Sequence, residues 1–467
     1  GPASVTRGRI EPRGDADWYR FSVKQQGELA VQVSNPASEL DLAFRVWDGE
    51  YNTIANWQAP LNKGADTSGI VDLAKPGFYC LELRDSHDDA ASGQPYQMAL
   101  TFRPANDPFE PNNFFGAAAP VNPGSRWQST ILPQGDADWY RLRFDQHGEL
   151  QVKVSGVPPE LDISLRLWDA DKRTLSNWHA PLKQGGDTDA VIDIPRPGSY
   201  VLELRDGRDD ARSVQPFTTT VAFTPSVDGF EPNNGFGSAS PLAIGETVMA
   251  TILPGADSDW YRIDVDEQGE LKVAVTGVPE NLDISCRVWN GDLQTITNWF
   301  APLKAGGDTE GIIDLPEPGA YVIEVRDGRD DARSVLPYAL RATYTPTTDR
   351  GEPNNSFGSA VPLKLGAAIA GTILPRGDGD WYRISTLGPG TLAVRIDGSP
   401  ENLDMVLRVW NEEKQTISNW LAPLRAGGET TGEIAIPKAG AYLIEVRDGR
   451  DDDRSVKPYR LSAAMRN

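Results

Sequence analysis

Apolar and polar residues alternate at period two along Leu161-Asp162-Ile163-Ser164-Leu165-Arg166-Leu167-Trp168, as they do in a strand with one face buried. The same alternation runs through Leu150–Val154, Tyr140–Phe144 and Tyr200–Leu204, with further strand candidates around Thr130–Leu132, Val191–Ile194 and Phe217–Phe223. Clusters of Gly, Pro, Asn and Asp separate these runs, and no stretch keeps a helical period, so the pattern predicts an antiparallel β-sandwich of about seven or eight strands. A short helical turn is expected over Asn113–Ala119, where small residues follow an Asn cap.

This unit recurs. Asp-Trp-Tyr-Arg begins at Asp17, Asp138, Asp259 and Asp380, steps of about 121 residues (138 − 17, 259 − 138, 380 − 259). Trp47, Trp168, Trp289 and Trp410 keep the interval, so the copies align without insertion or deletion. The 467 residues therefore read as an all-β tandem array of four domains, 1–104, 105–225, 226–346 and 347–467, each large enough to bury its own core. The linkers are short and contain proline, which predicts restricted orientation and a rod or gentle superhelix.

A net charge of −22 argues against nucleic acid or an anionic membrane as partner and suits divalent cations. No apolar run is long enough to span a bilayer, so no membrane insertion is expected. The leading Gly1-Pro2-Ala3-Ser4 reads as a cleavage remnant, which leaves export open. Cys80 and Cys286 fall at unrelated positions of the repeat, in place of apolar residues, and read as buried structural thiols.

Two motifs travel together: Glu110-Pro111-Asn112-Asn113 with Asp136-Ala137-Asp138, repeated as Glu231 with Asp257 and Asp259, and as Glu352 with Asp378 and Asp380. They offer carboxylate and amide oxygens without histidine or thiolate, an inventory that suits calcium better than zinc. A turn and cap whose acids satisfy loop amides is the alternative. With the following Ala-rich turn, Gly-Asp-x-Asp-Trp-Tyr-Arg and a late Pro-Gly-x-Tyr strand, the chain resembles the bacterial pre-peptidase C-terminal (PPC) domain, a family similar to the collagen-binding domain of clostridial collagenases.

The resemblance implies four jelly-roll-like sandwiches of a secreted, periplasmic or cell-surface bacterial protein, with calcium as cofactor. The ligands it implies are Glu110, Asn112, Asn113, Asp136 and Asp138 in the second repeat. They are Glu231, Asn233, Asn234, Asp257 and Asp259 in the third, and Glu352, Asn354, Asn355, Asp378 and Asp380 in the fourth. The first repeat keeps Asp15 and Asp17 without a Glu-Pro-Asn-Asn, so its site is expected to be incomplete.

A second cation site is conceivable in the acidic loop at Asp206, Asp209 and Asp210, recurring as Asp327, Asp330 and Asp331 and as Asp448, Asp451 and Asp452. Interleaved arginines favour a self-paired loop instead, although the first repeat keeps its acids while losing two of those arginines. Trp57, Trp178, Trp299 and Trp420 precede an Ala-Pro-Leu turn and either stack on a ligand or plug one end of the sandwich.

His87, His147 and His179 occupy three different repeat positions, which excludes a shared catalytic histidine. The expected function is that of a non-catalytic, calcium-stabilised binding or spacer segment, adhesin- or scaffold-like. A polysaccharide- or collagen-like-polymer-binding array and a self-associating or complex-forming structural subunit are the alternatives.

Overall fold

The computed structural model describes residues 4–466; Gly1–Ala3 of the leading segment lie outside the described residues. Each repeat forms two four-stranded sheets facing one another. In the second repeat one sheet runs Arg126–Ile131, Ser213–Pro225, Gly148–Ser155, Thr188–Ile194, and the other Ile163–Asp169, Gly198–Asp206, Ala137–Phe144, Ala119–Pro120. Pairing is antiparallel apart from the short Ala119–Pro120, which lies parallel to Ala137–Phe144. The all-β sandwich expected from the alternation is the fold observed, and the helical turn shrinks to a 3-10 turn at Phe115–Ala117.

The alternation maps onto burial. Tyr140, Leu142 and Phe144 point into the core while Arg141 and Arg143 face outward. Leu150, Val152 and Val154 oppose them from the other sheet. A cluster of this kind fills each of the four repeats. The central strand Gly198–Asp206 breaks the alternation, since Val201 and Glu203 on its outer face are also buried. Arg166 and Trp168 of the neighbouring strand reach over that face and donate to Glu203 Oε2 at 2.9 and 2.8 Å.

The chain divides into two compact units, 1–226 and 227–467, each holding two repeats. Cys286 is buried in its strand, and burial pushes its thiol up. Cys80 departs from the expectation of burial: it is half-buried, whereas Val201, Val322 and Leu443 at the same repeat position are buried. Both cysteines are free.

Candidate metal centres

In the second repeat the Asp-x-Asp motif sits where a turn enters the strand Ala137–Phe144, and alternation turns Asp138 inward. Glu-Pro-Asn-Asn is laid against the start of that strand by a main-chain bond, Trp139 N to Asn112 O at 3.0 Å. The same 3.0 Å bond joins Trp260 to Asn233 and Trp381 to Asn354. The two motifs thus meet because one carbonyl extends the edge of a sheet.

Oxygen atoms of Glu110, Asp136 and Asp138 come within 4.8 Å of one another. Equivalent clusters gather Asp228, Glu231 and Asp259 in the third repeat and Asp349, Glu352 and Asp380 in the fourth. Among the described residues these three are the metal-like carboxylate clusters, and the first repeat has none. The sequence reading omitted Asp107, Asp228 and Asp349, which stand three positions before the motif glutamate. Each is pinned by a main-chain amide, Thr130, Thr251 or Thr372, donating to its Oδ2 at 2.8–2.9 Å. Their recurrence in register was the available signal.

Crowding of like charge in a dry site shows in the acidities. Burial first, then the charge of Asp136 and Asp107, pushes Glu110 up to about 7. Burial likewise lifts Asp136, Asp257 and Asp378 to about 7. Asp138, Asp259 and Asp380 are fully enclosed and raised well above the usual carboxylate range, chiefly by burial and then by neighbouring carboxylates.

Partners differ between copies. Tyr338 donates to Asp259 Oδ2 at 2.5 Å, and Tyr459 donates to Asp380 Oδ2. Phe217 holds that position in the second repeat, and both oxygens of Asp138 lie buried without a hydrogen-bond partner, as does Asn112 Oδ1. Such orphaned oxygens are costly unless something positive meets them. An all-oxygen, carboxylate-rich set fits a hard divalent cation such as calcium. In the first repeat Asp17 accepts from Tyr96 at 2.5 Å and, among the described residues, joins no such cluster.

The family model of the bacterial pre-peptidase C-terminal domain matches residues 257–327 and 378–448. Two stretches of the chain, one in the third repeat and one in the fourth, match the PPC domain. Both matches open on the first acid of Asp-x-Asp and close on the first acid of the acidic loop, Asp327 or Asp448. A PPC domain is a non-catalytic domain.

Among solved structures, the PPC domain of a collagenase from Bacillus anthracis is 17% identical, covering 22% of this chain and 93% of its own, with a TM-score of 0.19. Tandem CBM51 modules of a family 98 glycoside hydrolase from Streptococcus pneumoniae are 7% identical, covering 47% of this chain and 84% of theirs, with a TM-score of 0.16. A Paenibacillus xanthan lyase is 10% identical, covering 100% of this chain and 51% of its own, with a TM-score of 0.20. A search of the curated proteins finds no match.

The acidic loop of each repeat is organised by its first acid. Asp206 is fully buried; its Oδ1 accepts from Asp162 N at 2.9 Å, and its Oδ2 from Asp210 N and Ala211 N at 3.0 and 3.1 Å. Asp327 repeats this arrangement, and Asp448 accepts from Asp404 N and Asp452 N. Asp209, Asp330 and Asp451 are exposed, adopt positive φ near 54°, and pair with Arg205, Arg326 and Arg447. Asp210, Asp331 and Asp452 are exposed, and the loop acids do not join the oxygen clusters above.

Trp57, Trp178, Trp299 and Trp420 are half-buried on the outer face of the second sheet. Two guanidinium groups lie over each ring, Arg166 at 4.2 Å and Arg205 at 4.3 Å in the case of Trp178. The first of these arginines also lies over the strand tryptophan, Arg166 on Trp168 at 4.1 Å, and that ring meets Trp139 at 5.8 Å. Cation–π contacts therefore occupy rings that the sequence offered for ligand stacking.

Proposed function

We propose that this chain is a non-catalytic, calcium-stabilised array of PPC domains serving as an extracytoplasmic binding or spacer segment of a bacterial protein. The observation that carries the reading is Asp138, fully enclosed among Glu110 and Asp136 with both oxygens unpartnered. Calcium would be held by the three clustered carboxylates, by Asp107, and by the oxygens of Asn112 and Asn113. Its charge would offset the mutual repulsion of the acids, and it would tie the leading segment of each domain to its Asp-x-Asp turn.

The asparagines support this reading. In the third and fourth repeats the side-chain oxygens of Asn233, Asn234 and Asn355 face only acceptors. Turning the Asn233 amide over brings its nitrogen to 3.0 Å from Asp259 Oδ1 and 3.1 Å from Glu231 Oε1. The oxygen-inward orientation suits a bound cation and the nitrogen-inward one suits its absence.

Thermal unfolding in calcium and in chelator tests the proposal, because a ligand that binds only the folded form raises stability, by about 2.7 kcal/mol at a hundredfold excess over Kd. Superimposable curves would sink it. One observation favours an additional recognition role. Leu61, Leu182, Leu303 and Leu424, at one position of every repeat, are essentially fully exposed. A quadruple Leu→Ser variant that keeps its melting curve but loses retention on a collagen or polysaccharide column would support that role; equal retention of both proteins would exclude it for those polymers.

A further inference from the structure

Arg212, at the end of the acidic loop of the second repeat, crosses to the first repeat. Its Nη1 lies 3.0 Å from Glu28 Oε2 and 2.8 Å from Asp72 Oδ1. Glu28 and Asp72 sit directly opposite each other on neighbouring strands, Gly27–Ser34 and Thr67–Leu73. Both carboxylates and the guanidinium are largely withdrawn from solvent. Two like charges facing across a ladder destabilise it unless a cation sits between them. The bridging arginine here belongs to the next repeat.

The arrangement is built again in residues 227–467. Arg454 of the fourth repeat reaches Glu270 Oε2 at 2.7 Å and also contacts Asp314, an acid pair opposed on the third repeat. The internal period shows how the parts are distributed. Glu and Asp occupy the paired positions in the first three repeats, as Glu28 and Asp72, Glu149 and Asp193, Glu270 and Asp314. Arginine occupies the third position in the last three repeats, as Arg212, Arg333 and Arg454.

The first and fourth repeats each lack one half. Where the first repeat would carry the arginine it has Ala91, although the acids of that loop, Asp85, Asp88 and Asp89, are all kept. Where the fourth would carry the acid pair it has Thr391 and Ala435, still directly opposed in the sheet.

We infer that the opposed acid pair and the loop arginine form a directional docking surface that seats the second repeat on the first and the fourth on the third, acids on the leading domain and arginine on the following one. Calcium plays no part in this inference, because none of these residues belongs to the oxygen clusters.

Charge exchange in the full chain tests this docking. Arg212→Glu should raise the rate of proteolytic cleavage within 104–108 about tenfold, and combining it with Glu28→Arg and Asp72→Arg should restore resistance. If the exchanged triple variant is cleaved as fast as Arg212→Glu, or if Arg212→Glu is as resistant as the parent, the inference fails.

Discussion

The Tyr338 hydroxyl donates to Oδ2 of Asp259 at 2.5 Å, bringing together residues 79 positions apart inside the third sandwich. Tyr459 serves Asp380 in the same way, and Tyr96 serves Asp17. With Phe217 the second repeat forgoes that donor. Removing the hydroxyl with Tyr338→Phe is expected to cost about 1–3 kcal/mol, the usual range for leaving a buried acceptor without its donor. Urea unfolding should show the lower midpoint in chelator.

The proposed calcium binding predicts one ion for each of the three clusters. Calorimetric titration of the chelated protein with calcium should give a stoichiometry of three, falling to two in Asp138→Asn, which loses one charge at the second-repeat cluster. The same variant should be more stable than the parent in chelator, because it removes a carboxyl that burial makes costly to ionise and whose oxygens have no partner. A parent stoichiometry of zero would contradict the assignment outright.

The pH dependence has a defined sign. Glu110 and Asp136 are held near 7 in the cation-free fold, above the ordinary 4.5 and 3.8 that the unfolded chain would show. Between those limits the folded protein binds more protons than the unfolded one, so stability in chelator should fall as pH rises from about 4 to 7. With calcium present, protons compete with the ion, and the calcium-dependent increment should grow over the same interval. Unfolding midpoints measured against pH in the two conditions check both slopes.

The outer face of each sandwich depends on one buried acid. Glu324 accepts from Arg287 Nε at 2.6 Å and from Trp289 Nε1 at 2.9 Å. Glu324→Ala leaves the indole and guanidinium donors without their acceptor, an expected cost of about 1–3 kcal/mol. Tryptophan emission should change together with the unfolding midpoint, since the Arg287 it releases also lies 4.3 Å over Trp299.

Much of the candidate site was legible because it is local. Asp136 and Asp138 are two residues apart, and the turn before a strand fixes where both point. Asp107, Asp228 and Asp349 were equally regular in the sequence but stand before a proline-containing turn, so nothing local distinguishes them from loop acids. Their placement appears only in the fold, where main-chain amides of Thr130, Thr251 and Thr372 hold them and Asp228 and Asp349 join the clusters. The loop acids illustrate the reverse. Asp206 was a secondary candidate in a loop read as self-paired, and its oxygens accept from main-chain amides that the fold brings to it.

By itself the sequence determined the period, the alternation and therefore the sandwich, since each depends on residues close along the chain and on which face of a strand is apolar. It also marked Glu-Pro-Asn-Asn and Asp-x-Asp as oxygen-rich segments that recur together. The tertiary structure decided which carboxylates converge, which tyrosine reaches which aspartate, and that Arg212 belongs to the first repeat's acids as much as to its own loop. Those are contacts between strands far apart in the chain, set by sheet pairing and by the docking of one domain on the next, and residue order alone does not encode their distances.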